Sequence, residues 1–585
     1  MREPVLAEDL TGRALSVDWL SSRAGAVWWV ESSAEAGDAV LMSRPAGGGS
    51  ATPVAEGVGN GLHAYGAHPY AVTSGGVVVT RPDDGQVWDV TTNARLTEVS
   101  DQHGDLHVDL DRVCCVRETG EEDQLLVIDP ATGAVDVVHR APFLAAPRLR
   151  GHRLAWTQWG DDVMPWDAAE IWAGTYRPGR LVVDAHRIAG GRDEAAHQPQ
   201  WGPDGHLYLL TDRTGWWNLH RWAGAPRSGD LHPVAPVAAE CGAAPWEAGY
   251  SSYTFLRDGR IAIIAENGPR GRILLADAGG KVDELVTPFT SFKPFLAPTE
   301  HGLAVLGATP GAGPRVADLH TDGSGTIEII RSGGPPPYAA PIPQLLTVES
   351  AEPLTVLVHP AVDHHATPPL IVRAHPGPTD NNRLRLDEEV QFFTSRGYTV
   401  AEVDYRGSTG YGRHFRTVLN GRWGELDVED CITVATHLIT IGRARADAVF
   451  ITGASAGAYT ALRAVSRPDT PFALAVARSA IVHPNRWART APRFQRAHAA
   501  TLAHRAADVD PAAVCRPVLL IHGSDDTVAP PSDAVELARA LRARDLLVDL
   551  VDLPGVGHYL SGPALITALG QELAAYEKRL VSLTP

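Results

Sequence analysis

Gly453-Ala454-Ser455-Ala456-Gly457 sets a serine among small residues, directly after the apolar run AVFIT and directly before the helical AYTALRAV. In a strand–turn–helix setting, G-x-S-x-G forms a strained elbow that lifts the serine hydroxyl off the carboxyl edge of a sheet. Small flanking residues are required because the backbone there passes close to its neighbours. In a chain with 57 glycines the pattern alone arises by chance, so the flanking strand and helix carry the argument. A neutral hydroxyl is a poor nucleophile. It needs a histidine base, and the base needs a carboxylate to fix its tautomer and stabilise the imidazolium. α/β-Hydrolase folds supply these groups in the order Ser, Asp, His. Here PVLLI is followed by His522-Gly523-Ser524-Asp525-Asp526-Thr527-Val528, and LLVDLVDL by Pro554-Gly555-Val556-Gly557-His558. Both candidates lie on loops just past strand ends, where open α/β sheets meet ligands. The expected chemistry is acyl transfer, with Ser455 as nucleophile, His558 as base and Asp526 as the supporting acid. Asp525 competes for the acid role and is assigned to the loop surface. With 24 histidines in the chain, position rather than residue type singles out His558.

A developing oxyanion needs hydrogen-bond donors. The N–H after the nucleophile belongs to Ala456. A second donor is expected after the early strand LIVRA, in His375-Pro376-Gly377-Pro378. Proline has no N–H, so Gly377 is the candidate rather than Pro376; the alternative is that HPGP is only a tight turn. No cofactor and no metal are expected. GxxxxGK[ST], HExxH and a dinucleotide fingerprint are absent, and His364-His365 has no partner at ligand spacing.

These residues need a scaffold, and the C-terminal half supplies its pattern. LIVRA (370–374), TVAEVDY (399–405), AVFITG (448–453), PVLLIHG (517–523) and LLVDLVDLP (546–554) alternate with segments of helical apolar spacing, such as 427–442 and 532–545. Strand–helix alternation predicts a doubly wound, mostly parallel sheet. The first ~335 residues differ. Short apolar runs are punctuated by turns at Asp83-Asp84-Gly85, Pro203-Asp204-Gly205, Asp258-Gly259 and Asp322-Gly323, dipeptides that tolerate positive φ. The runs group into about seven units of roughly 40–50 residues, the size of a four-stranded propeller blade. A sandwich array is the alternative architecture. Twelve of the fifteen tryptophans precede residue 223, which assigns most of them to packing between blades. Ser332-Gly-Gly-Pro-Pro-Pro337 marks the break. The domains are therefore read as a β-propeller over 1–335 and an α/β-hydrolase domain over 336–585.

Bulk properties narrow the function. The formal net charge is −18, from 51 basic and 69 acidic residues, which argues against nucleic-acid binding. Five cysteines without a CxxC pair predict free thiols rather than a disulfide framework or a zinc site. The start MREPVLAEDL has no apolar core of a signal peptide, and no apolar run is long enough to span a membrane. A cytoplasmic location is the default expectation. The oligomeric state is left open, homo-oligomers included.

Together the segments resemble the prolyl oligopeptidase family of serine peptidases, in its acylaminoacyl-peptidase and dipeptidyl-aminopeptidase-like branch. In the hydrolase half the resemblance rests on HPGPTD, DYRGSTGYGRHFR, LNGRWGELDVEDC, GASAGAYTAL, HGSDDTVAPP and GVGH. In the front half it rests on MPWDAAEIW, PQWGPDGHLYLLTDRTGWWNLHRW and YTFLRDGRI. It implies a propeller capping the hydrolase domain, with the site in a cavity between them. It also implies Ser455, Asp526 and His558 as the triad, Gly377 and Ala456 as oxyanion donors, and Tyr411 as a further hydroxyl donor; the plain alternative for Tyr411 is packing under its loop. The chain departs from the pattern at Pro376, where relatives carry glycine, at Ala454 and Ala458, and over 477–498. In relatives that last region shapes the substrate pocket.

The expected function is amide hydrolysis in short peptides, releasing an aminoacyl, dipeptidyl or acylaminoacyl unit. One alternative is an amide or ester hydrolase acting on an aminoacylated small molecule or natural product. Another is a non-catalytic propeller scaffold that binds a partner. A propeller over the site would admit short peptides or small amides. Glu240 is the candidate partner for a substrate ammonium. Trp217 and Trp246, with Trp216, are candidate cavity residues, core packing being the alternative.

Overall fold

The computed structural model describes residues 4–583 apart from 11–14, 34–37, 224–230, 335, 337, 339 and 363–366. His364-His365 lies outside the described residues. Alternation of apolar runs and Gly-containing turns resolves into seven four-stranded antiparallel sheets between Leu15 and Ser332. Gly205, Gly259 and Gly323, at the turns singled out above, all take positive φ. Each blade uses four consecutive strands, so no strand is exchanged to close the ring. The first and seventh blades meet through an apolar cluster that includes Val17, Leu20, Trp29, Phe295, Leu306 and Val316. Trp29 and Trp156 are fully buried between blades, whereas the fully buried Trp166 and Trp217 join a cluster that includes Phe494 and Ala497 of the hydrolase domain.

The hydrolase sheet has eight strands: β1 Gln344–Val348, β2 Leu354–His359, β3 Leu370–Ala374, β4 Thr399–Asp404, β5 Val449–Ala454, β6 Leu474–Arg478, β7 Val518–Gly523 and β8 Leu547–Leu553. Their spatial order is β1-β2-β4-β3-β5-β6-β7-β8. The two antiparallel pairings are β1 with β2 and β2 with β4; the rest of the sheet is parallel. Successive strand residues face opposite sides, so Ile451 and Leu520 join one apolar cluster while Phe450 and Leu519 join the other. Helices Leu426–Thr440 and Ala456–Ala464 cover the first face; Glu388–Thr394 and Gly562–Leu583 cover the second.

A propeller beginning at residue 1 does not describe the leading segment. Val5 and Leu10 pack into the second hydrolase cluster. The Val5 N–H donates to Ser395 Oγ at 3.1 Å, and Arg396 donates to the Val5 carbonyl at 2.7 Å. The physical reason is burial: this short apolar stretch covers Phe393 and Tyr398. The blades themselves run from Leu15 to Ser332. Among the described residues, no helix is long and apolar enough to cross a membrane.

Candidate active site

Ser455 stands between β5 and the helix Ala456–Ala464 with φ 52° and ψ −117°, a conformation that L-residues keep only where the surroundings enforce it. Close approach does the enforcing. A Cβ on Gly453 would lie 2.3 Å from the Gly457 carbonyl, and one on Gly457 would lie 2.4 Å from the Ala374 carbonyl oxygen. The Ser455 N–H is held by the Arg478 carbonyl at 2.9 Å, at the end of β6. Its hydroxyl lies 3.0 Å from His558 Nε2, and His558 Nδ1 lies 2.8 Å from Asp526 Oδ2.

The two loops after β7 and β8 are tied together before they reach Ser455. A Cβ on Gly523 would sit 2.2 Å from the Val556 carbonyl oxygen, so glycine there lets the strands' ends touch. Ser524 N–H donates to the Leu553 carbonyl at 3.0 Å, and Asp525 N–H donates to the Val556 carbonyl at 2.9 Å. Asp525 stays exposed, its carboxylate bonded to Ser524 Oγ. Asp526 is buried and accepts the Val528 and Ala529 N–H groups, each at 2.8 Å. Burial alone would raise its carboxyl; hydrogen bonds from His522 and His558 and from the Ala529 N–H hold it well below the usual carboxylate range. The carboxylate thus remains charged and fixes the His558 tautomer. Ser479 adds a brace the motifs did not announce: its hydroxyl donates to the His558 carbonyl at 2.9 Å.

The expected oxyanion donors fare differently. Gly377 and Ala456 line the same cavity as Ser455. The Ala456 N–H, however, donates to the Pro376 carbonyl at 3.2 Å, so the Pro376–Gly377 peptide occupies the donor that a substrate oxygen would use. Tyr411 is not a donor to this site. Its hydroxyl donates to Asp404 at 2.5 Å, and its ring packs on the hydrolase core against Phe415. Buried Asp404, raised to about 7 by burial against the opposing bonds from Tyr411 and Asn382, competes for that hydroxyl.

A cavity of about 330 Å³ lies between the domains over Ser455 and His558. Trp246 lines it and donates its indole N–H to the Thr379 carbonyl at 2.8 Å, bridging propeller to hydrolase. Ile481, Trp487, Gln495 and His498, from the divergent 477–498 segment, form the facing wall. Burial lowers His498 to about 3 and keeps it neutral.

Trp217 and Glu240 are not cavity residues. Trp217 is fully buried, with the Arg416 guanidinium 4.0 Å above its ring. Glu240 accepts the Trp217 N–H at 2.7 Å and lies 3.4 Å from Arg416. Arg416 and Arg413 each reach Asp212 at 2.7 Å. A buried arginine demands carboxylate partners, and Glu240 is committed to that demand. Two carboxylates do line the cavity: Asp380, which lies 3.6 Å from Arg383, and Glu247, seven residues on from Glu240 and next to Tyr250. Burial, reinforced by Asp18 and opposed by Lys293, raises Glu247 to about 7. Its adjacency to Trp246 was the available signal. Among the described residues, no group of three or more His, Cys, Asp or Glu is arranged to hold a metal.

Residues 384–582 match the prolyl oligopeptidase family. The hydrolase domain belongs to that family. Dipeptidyl aminopeptidase BIII of Pseudoxanthomonas mexicana is 26% identical over 211 residues, 33% of this chain and 31% of the relative. The acylamino-acid-releasing enzyme of Arabidopsis thaliana is 26% identical over 214 residues, 33% of this chain and 28% of the relative. These matches thus span about a third of each curated relative. A puromycin-hydrolyzing peptidase of Mycobacterium tuberculosis superposes with a TM-score of 0.90 at 27% identity, covering 99% of this chain and 96% of the other. The seven-bladed propeller joined to an α/β-hydrolase domain therefore recurs as a unit.

Proposed function

We propose that this prolyl oligopeptidase-family protein is a serine hydrolase that cleaves amide bonds of small substrates through an acyl-enzyme on Ser455. One observation carries the reading: Ser455 Oγ, His558 and Asp526 form a continuous hydrogen-bonded series that opens into the interdomain cavity. His558 Nε2 takes the Ser455 proton as Oγ attacks the carbonyl carbon, then delivers it to the leaving nitrogen as the C–N bond breaks. Water repeats the sequence on the ester, returning the proton to Ser455. The Pro376 carbonyl yields the Ala456 N–H to the substrate oxygen as the oxyanion develops.

The cavity is at the lower end of the ~300–1,000 Å³ usual for ligand sites, which suits one or two residues rather than a folded chain. Glu247 supplies the negative charge for a free ammonium, the part first given to Glu240. Release of an N-terminal aminoacyl or short acyl unit from peptides follows. A second reading has its own support: the full-length likeness to a puromycin-hydrolyzing peptidase favours an aminoacyl amide of a small molecule as substrate. Both share the aminoacyl half and differ in the amine released. A fluorophosphonate probe tests the core of the reading. Wild-type protein is expected to label and Ser455→Ala to stay unlabelled; an unlabelled wild type, or equal labelling of both, overturns it. An aminoacyl anilide, its N-acetyl form, a dipeptidyl anilide and a simple ester then separate the substrate classes, and turnover of the ester alone removes the peptidase reading.

A further inference from the structure

Ser455 borders a second cavity, of about 220 Å³, on the hydrolase side of the elbow. It shares just four lining residues with the interdomain cavity: Pro376, Ser455, His558 and Tyr559. Its walls are apolar, from Val390 and Phe393 on the helix Glu388–Thr394 and from Leu560 and Leu565 around the start of the helix Gly562–Leu583. The charged groups that also line it are already paired: Arg373 bonds Asp387 at 2.7 Å and Glu402 at 3.2 Å. Arg478 bonds Glu389 at 2.7 Å and Glu572, and Glu572 also accepts the Tyr576 hydroxyl at 2.6 Å.

We propose that this second cavity binds an apolar group carried by the leaving amine: the side chain that follows the scissile bond in a peptide, or the ring of an arylamide. The inference rests on Ser455 acting as nucleophile. When Oγ bonds the carbonyl carbon, the oxygen must face Gly377 and Ala456, which line the interdomain cavity and not the second one. The acyl substituent shares that larger space with Trp246 and Glu247. The leaving nitrogen has to lie at His558 Nε2 to receive its proton, and His558 is where the second cavity begins. Internally neutralised charges leave no net attraction for a charged amine. Apolar walls favour hydrocarbon by the burial of its surface. The volume falls below the ~300 Å³ lower bound for whole ligands, so one side chain or ring enters and the remainder of a longer leaving group stays at the rim.

Partitioning of the acyl-enzyme tests this on the unaltered protein. An aminoacyl methyl ester forms the ester on Ser455 with release of methanol, and added amines compete with water for it. The attacking amine forms the new C–N bond, loses a proton to His558, and Oγ departs with that proton, so capture runs through the leaving-group site in reverse. Phenylalaninamide and leucinamide are expected to capture the acyl group about ten-fold or more better than glycinamide. Leu565→Trp, which fills the cavity, is expected to erase that preference in protein that still labels with fluorophosphonate. Equal capture by all three amines in the wild type overturns the inference, as does a preference that survives Leu565→Trp in a variant that still labels with fluorophosphonate. Absence of any labelling on Ser455 would instead overturn the nucleophile assignment beneath it, so the two failures are distinct.

Discussion

Asp526 in the hydrolase domain and Glu247 in the propeller are the carboxylates on which the two sides of the Ser455 cavity depend, and their surroundings are opposite. Asp526 accepts the Val528 and Ala529 N–H groups and the His558 ring N–H, and stays charged at any ordinary pH. Glu247 has Tyr250 beside it, no ion pair among the described residues, and a carboxyl pushed up to about 7. Lys293, which attracts it, is taken by Asp18. The triad on the hydrolase side is assembled before substrate arrives, while the Ala456 N–H is still held by the Pro376 carbonyl and has to be released to the oxyanion. The propeller side is left with an unfilled demand for a cation, which is what recognition requires.

Removing charge at three carboxylates should break this contrast in three different ways. Asp526→Asn is expected to lower kcat by about 10⁴, because the amide stabilises the wrong His558 tautomer; steady-state turnover of an aminoacyl anilide reads it, and a loss under about ten-fold would show that Asp526 is dispensable to His558. Glu247→Gln is expected to raise KM for free-amine substrates by about 10- to 100-fold, with N-acetyl analogues unaffected. The pH profile sharpens this. Glu247 is protonated below about 7 in the empty cavity, so 1/KM for free-amine substrates should rise with pH through that value and fall again as the substrate amine deprotonates near ~8. The glutamine variant should lose the acidic limb alone. Linkage gives the matching stability sign: a carboxyl raised from an unfolded value of ~4.3 contributes less stability as pH climbs towards 7. Glu240→Gln should have the smallest catalytic effect, with kcat/KM retained and about 1–3 kcal/mol lost in thermal unfolding, since it weakens the Arg416 interface. A rise in KM for free amines there would return the ammonium site to Glu240.

The parts of the site that depend on neighbouring residues were legible in the chain. A strained serine and two loops pressed together leave glycines where no Cβ fits, and Gly453, Gly457 and Gly523 are those positions. Blade number was legible because the apolar runs group into units of roughly 40–50 residues, the size of one four-stranded blade. Contacts between distant segments were not. Tyr411 and Glu240 sit in motifs that named the right loops, yet side chains turn towards the strongest partner in reach: Asp404 for Tyr411, and Arg416, 176 residues away, for Glu240. Arg413 and Arg416, in the motif DYRGSTGYGRHFR, act at the domain interface. The packing of Val5 and Leu10 on the hydrolase domain left no periodic trace, because the stretch is too short to show one.

That last contact changes how the two domains are joined. The polypeptide departs from the hydrolase body after Leu10 and is back on it by Tyr338, so all seven blades form one excursion anchored at both ends. Leu10, Leu15, Ser332, Leu386 and Leu565 border a common cleft, so both anchors stand side by side. The joint between the first and last blades is the one place where no connecting chain links neighbours around the ring. It is fastened by apolar contact, by the ion pairs of Asp18 with Lys293, Glu31 with Arg331 and Arg44 with Glu328, and by two feet planted on the same neighbour. The hydrolase domain thereby serves as the clasp of a necklace: loosening either foot would relax the ring as well as the boundary between domains.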